Sequence, residues 1–112
     1  MNPDTAPIAE VEAWLAPRLG WTKHPDKPGW YHDRKGMSTH LVVLIGPSID
    51  AAIACLPPGC RWACNLCDWI VYPPGPLDGR HIEHPRSGDP FAARDELLRL
   101  AAKAWMKMEE GK

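Results

Sequence analysis

Two cysteines and two histidines offer the clearest chance of chemistry in this sequence. Cys64 and Cys67 lie in "RWACNLCDW", and His81 and His84 in "RHIEHP", giving the spacing C-x2-C-x13-H-x2-H. Thiolates at C-x-x-C spacing can grip one zinc ion from a tight turn, and two imidazoles can complete a tetrahedral set. The pattern departs from a Cys2His2 finger, since the histidines are one residue too close and Pro85 keeps them off a helix. Cys55 and Cys60 supply an alternative thiolate set with Cys64 and Cys67. The competing reading has the thiols as small hydrophobes and the histidines on a surface loop, and that reading is expected. No cofactor is therefore expected, with zinc as the alternative. A redox dithiol needs a cysteine at a helix N-terminus, whereas "ACNLCDW" is strand-like.

General acid–base chemistry has one foothold, Glu83 between His81 and His84. No phosphate-binding loop, nucleophile elbow or H-E-x-x-H motif accompanies it. A polar edge strand accounts for the same residues, so an enzyme is not expected. His24, His32 and His40 are scattered and read as surface side chains.

Two aromatics in "KHPDKPGWYHDRKG", Trp30 and Tyr31, could stack on bases beside the basic residues. Asp26 and Asp33 dilute that charge. The whole chain carries 13 basic and 14 acidic side chains, a formal charge of −1, without the basic excess that phosphate binding requires. Nucleic acid is thus not favoured. Trp30 and Tyr31, or the proline-rich loop at 73–90, are expected instead to be exposed anchors for a protein partner, because aromatic residues dominate interface energetics.

The elements that must position these residues follow from periodicity and punctuation. At 112 residues the chain has the length of one domain, with ends expected to fray at about 1–4 and 109–112. Its 13 prolines require much loop and turn, and six tryptophans against one phenylalanine make Trp the main source of bulk in a small core. Ile8, Val11, Leu15 and Leu19 predict a helix over 5–19, capped by Asp4 or Thr5, disturbed by Pro17 near Ala16 and closed by Gly20. Strands are predicted at 30–32 and 38–45, the latter through the β-branched run "LVVLI". A helix follows at 48–56, stopped by Pro57–Pro58–Gly59.

Two strands are predicted to meet near Asn65, with Trp62, Cys64 and Leu66 on one face and Trp69 and Val71 on one face of the return strand. Residues 73–90 hold five prolines and three glycines, and predict a long connection with a short edge strand at 80–83. Asp89 caps the last helix, Pro90 opens it, and Phe91, Leu98, Ala101, Trp105 and Met108 form its apolar stripe to about Glu109. Asp95 and Arg99 are expected to pair on the opposite side. The sum is a small α+β fold, with helices on a short antiparallel or mixed sheet and a long amphipathic C-terminal helix.

"SIDAAIACLPPGCRW", "DWIVYPPG" and "GDPFAARDELLRLAAKAW" together resemble the small tailed-phage and prophage proteins with the phage ABA-sandwich domain, over about residues 48–108. The resemblance implies a layered α/β arrangement and an origin in a mobile element. It brings no activity and no catalytic residues. No apolar run is long enough to span a bilayer, and the N-terminus lacks the basic and apolar regions of a secretory signal. A cytoplasmic, phage-type accessory module that binds a protein is the expectation. The alternative is a zinc-stabilised nucleic-acid-binding module using Cys64, Cys67, His81 and His84.

Overall fold

In a computed structural model, which describes residues 1–28, 30–32, 38–40, 48–74 and 81–110, a long C-terminal helix is the centre on which the other two helices and two strands of the second sheet pack. For 38–40 only the backbone is described. Helix α1 (Ile8–Leu15) continues as a 3-10 turn (Ala16–Leu19), followed by strands β1 (Thr22–Lys23), β2 (Trp30–His32) and β3 (Ser38–His40). Helix α2 (Ile49–Ile53), strands β4 (Arg61–Cys64), β5 (Asp68–Tyr72) and β6 (Ile82–Pro85), and helix α3 (Ala93–Glu110) complete the order. The fold class is α+β, and the described residues form two antiparallel three-stranded sheets, β1-β2-β3 and β4-β5-β6.

The local chemistry explains the boundaries. Pro17 removes an amide from the α-helical ladder, so the chain tightens into 3-10 geometry there. Gly20 closes the turn at φ 88°, a left-handed cap that returns its N–H to the Ala16 and Pro17 carbonyls. The first helix starts later than its pattern predicts, behind Pro7, and neither Asp4 nor Thr5 caps it. Asp4 instead forms an ion pair with Lys103 on α3, and Arg99 donates to the carbonyl oxygens of Pro3 (3.0 Å) and Ala6 (2.7 Å). The N-terminal segment is thus strapped to the last helix, and Arg99 is drawn away from the expected pairing with Asp95. Ser48 caps α2 by accepting the Ala51 N–H at 3.0 Å, and the helix ends before Pro57 as its sequence requires. Of the strand predicted at 38–45, Ser38–His40 is present, and 41–45 lies outside the described residues.

Helix α3 buries Leu97, Leu98 and Leu100 completely, with small Ala93, Ala101, Ala102 and Ala104 between them. Each fully buried leucine contributes about 1.5–3 kcal/mol, and the alanines let neighbours approach closely. Helices α1 and α2 pack on α3, as does one face of β5 and β6. That face carries Trp69, Val71 and His84, brought together by the register Trp69↔His84 and Val71↔Ile82. Trp105 ties α3 to α2 by donating its indole N–H to the Cys55 carbonyl at 2.9 Å. A buried ion pair, Arg94–Glu12 at 3.0 Å, ties α3 to α1.

Candidate functional site

The tight turn between β4 and β5 displays Leu66, and the segment before α3 displays Phe91. Their exposures are 91% and 94%, so neither side chain joins the core. The sequence pattern placed Phe91 in the buried stripe of the last helix and Leu66 on a face with Trp62 and Cys64. The physical reason for both corrections is where each element ends. Helix α3 begins at Ala93, so Phe91 precedes its periodicity. Asn65 closes the β-turn, so Leu66 stands at the tip beyond the strand pleat.

Both tips rest on a polar network. The Asn65 side-chain oxygen accepts the N–H groups of Cys67 (2.8 Å) and Asp68 (2.7 Å), while the Asn65 N–H donates to the Asp68 carbonyl at 3.0 Å. Arg86 donates through its guanidinium to the Asn65 carbonyl (2.9 Å) and through its backbone to the Cys67 carbonyl (2.8 Å). It also lies 4.9 Å from the centre of the Trp69 ring. The Glu96 carboxylate accepts the Trp69 indole N–H at 3.1 Å and the Ser87 N–H at 3.2 Å. Asp89 in turn accepts the Phe91 N–H at 2.9 Å. One chain of contacts, Asn65–Arg86–Trp69–Glu96–Ser87, therefore links the hairpin to the start of α3 and fixes both apolar tips relative to it.

The four residues of the zinc reading do not converge. Cys64, Trp69 and His84 share one row of the sheet, with the tryptophan between the other two. Cys64 is exposed while His84 is buried against the last helix, so the two side chains lie in different surroundings on either side of Trp69. The turn is closed by Asn65 and Asp68 rather than by the cysteines, which displaces Cys64 and Cys67 by one residue from a metal-gripping knuckle. His81 reaches Glu83 at 2.9 Å and lies beside Tyr72, on the face of the sheet opposite His84. Among the described residues no three His, Cys, Asp or Glu side chains are grouped as metal ligands.

His84 is buried against α3, with its Nδ1 3.3 Å from the Asp4 carboxylate but too misaligned for a hydrogen bond. Burial pushes its pKa below the ordinary histidine value, and the nearby Lys103 ammonium pushes the same way. Asp4 is held below the usual carboxylate range by its hydrogen bond to Lys103. The acid–base reading of "RHIEH" is divided by the pleat, His81 and Glu83 outside and His84 inside. The cysteines divide as well. Cys64 and Cys67 are exposed, while burial pushes the Cys55 thiol up to about 11 and raises Cys60.

The expected anchors Trp30 and Tyr31 part company. They are neighbours on β2 and so face opposite ways. Trp30 is half-buried with the Lys27 ammonium 5.1 Å from its ring centre, whereas Tyr31 is buried in the core. Tyr31 is therefore not an exposed anchor. Leu66 and Phe91 escaped the sequence reading because exposure at a turn tip leaves no periodic signal. The available cue was the turn chemistry of Asn65 and Asp89 beside each of them.

Comparison with known proteins returns no match to the chain among family models, curated proteins or solved structures. Among the described residues, no helix is long and apolar enough to cross a membrane.

Proposed function

We propose that this chain is a non-enzymatic accessory module that binds a protein partner through Leu66 and Phe91. The observation that carries the reading is the exposure of two large apolar side chains, each above nine-tenths, on turns braced by the same polar network. Scattered surface hydrophobics need no explanation, but two large apolar side chains on hydrogen-bonded turns meet the requirements of an interface anchor. The backbone of each tip is hydrogen-bonded before binding, so less ordering entropy remains to be lost on docking.

The charges around the tips favour a protein over a lipid surface. Asp68 and Asp89 flank them in sequence, Asp95 is paired with Arg94, and Arg86 and Glu96 are engaged within the network. An anionic bilayer repels that acidic rim, whereas an apolar pocket with a basic border complements it. A phage or prophage source belongs to the same proposal and rests on the order of elements across residues 48–108.

The test compares affinity capture by the wild type with capture by Leu66→Ser/Phe91→Ser, using Trp30→Ser as a control. Both tips are solvated, so the double variant should melt within about 0.5 kcal/mol of the wild type. A partner retained by wild type and Trp30→Ser but lost by the double variant is the expected result. With that partner purified, each substitution should weaken binding about 30-fold, the scale of an interface hot spot. Equal affinity for all three proteins refutes the reading.

A further inference from the structure

At another place in the fold, the 3-10 turn and the first sheet enclose an open depression of about 460 Å3, lined by Ala13, Pro17, Gly20, Trp21, Lys23 and Tyr31, with Thr22 at its edge. Its origin is local. Pro17 forces the 3-10 turn, Gly20 reverses the chain, and Trp21 is thereby set beside the pyrrolidine ring. The register Lys23↔Tyr31 puts those two side chains next to each other on the same face of β1 and β2.

Trp21, Pro17 and Ala13 supply apolar lining, and the buried Tyr31 contributes only the small part of its side chain that is accessible. The polar groups are biased toward donation. The Trp21 indole N–H and the Lys23 ammonium donate only, while the Thr22 and Tyr31 hydroxyls can do either. Among the described residues neither the Trp21 N–H nor the Tyr31 hydroxyl has a hydrogen-bond partner. Among the described residues no carboxylate lines the depression, and Lys23 is the one charged lining residue.

A ligand matched to such a surface is apolar, rich in acceptors and poor in donors. Polyproline II segments have that chemistry, because proline lacks an N–H and the carbonyls project without internal partners. They also lose little conformational entropy on docking against an aromatic ring such as that of Trp21. We infer that this groove binds a short proline-rich segment of another protein, with a carbonyl on the Trp21 indole N–H and a flanking acidic residue on Lys23. The site uses none of the Leu66–Phe91 tips, so it stands or falls apart from the function proposed above.

The test is titration with a synthetic proline-rich octapeptide carrying one aspartate, followed by the NMR shift of the Trp21 indole N–H. The comparison peptides replace that aspartate by lysine, or are alanine-rich and helical at equal length. Saturable binding with a shifted Trp21 resonance is expected for the aspartate peptide, and weaker or no binding for both others. Trp21→Phe keeps the wall but removes the donor, and should weaken binding about 3- to 10-fold. Lys23→Glu, at an exposed strand position, should reverse the preference between the aspartate and lysine peptides. Phe91→Ser should leave the affinity unchanged. No binding of the aspartate peptide, an unshifted Trp21 resonance, or equal affinity for the charge-reversed peptide would each overturn the inference.

Discussion

Replacing Arg94 by methionine keeps most of the side-chain bulk but removes the guanidinium that neutralises Glu12 between α1 and α3. The Glu12 side chain is 8% exposed and that of Arg94 14%, at 3.0 Å, so the surviving carboxylate has little access to water. Removing one partner of a buried ion pair costs about 3–5 kcal/mol, because an uncompensated charge is left behind. The slight exposure places this case at the lower end, about 3 kcal/mol. Asp95 adds little, since its contact with Arg94 is to a side chain 45% exposed.

A loss of about 3 kcal/mol from a domain of this size should lower Tm by about 10–15 °C and the urea midpoint by about 1–2 M. Glu12→Gln should cost less, about 1–2 kcal/mol, because Arg94 keeps Asp95 and can bond the amide. The double variant Glu12→Leu/Arg94→Met should return to within about 1 kcal/mol of the wild type, since an apolar pair needs no desolvation. Urea unfolding of wild type, Glu12→Leu, Arg94→Met and the double variant, read by Trp fluorescence and circular dichroism, gives the complete cycle, with Glu12→Gln measured beside it. If Arg94→Met loses under about 1 kcal/mol, the pair is effectively solvated and the buried-charge argument fails. If the double variant is no better than the worse single variant, the stranded carboxylate is not the cause.

Three further outcomes follow from the packing. Because burial holds the His84 pKa below its unfolded value near 6.5, the unfolded chain takes up the proton first as pH falls. The stability from neutral His84 is therefore complete above about pH 6.5 and drains below it toward the folded pKa. Melts from pH 7.5 to 5 should be steeper in the wild type than in His84→Gln, and equal slopes contradict the burial argument. Asp4, depressed in the folded state, adds a second loss only at more acid pH, as pH falls through its folded pKa. A thiol reagent should label Cys64 and Cys67 rapidly in the folded protein and Cys55 only on unfolding, its thiol being buried and donating to the Ala51 carbonyl at 3.3 Å. Uniform labelling of all four would show that α2 opens readily from α3. Leu97→Ala, at a completely buried position on α3, should cost about 2–5 kcal/mol in the same urea assay, and a loss below about 1 kcal/mol would mean that the core can collapse around it.

Signals confined to a few neighbouring residues were readable from the sequence. Ser48 before an apolar run, Pro57 after it, Gly20 behind Pro17 and the period of Leu98, Ala101 and Trp105 each act over one or two helical turns. The strand at 30–32, the hairpin around Asn65 and the long last helix follow from such signals, as does the α+β class. What only the tertiary structure decided is which side of each element meets another. Alternation along β2 makes either Trp30 or Tyr31 the inward residue, and packing against the core chose Tyr31. The spacing from Cys64 to His84 is compatible with a metal site as a string of letters, yet in the sheet Trp69 stands between them. Phe91 has the period of the last helix but precedes its first turn, so it points to solvent. Arg99 and Asp4, assigned to local pairing and a local cap, found stronger partners nearly a hundred residues away. Hydrophobic periodicity reports that a residue can be buried, whereas burial and pairing are settled by surfaces distant in sequence that compete for the same side chain.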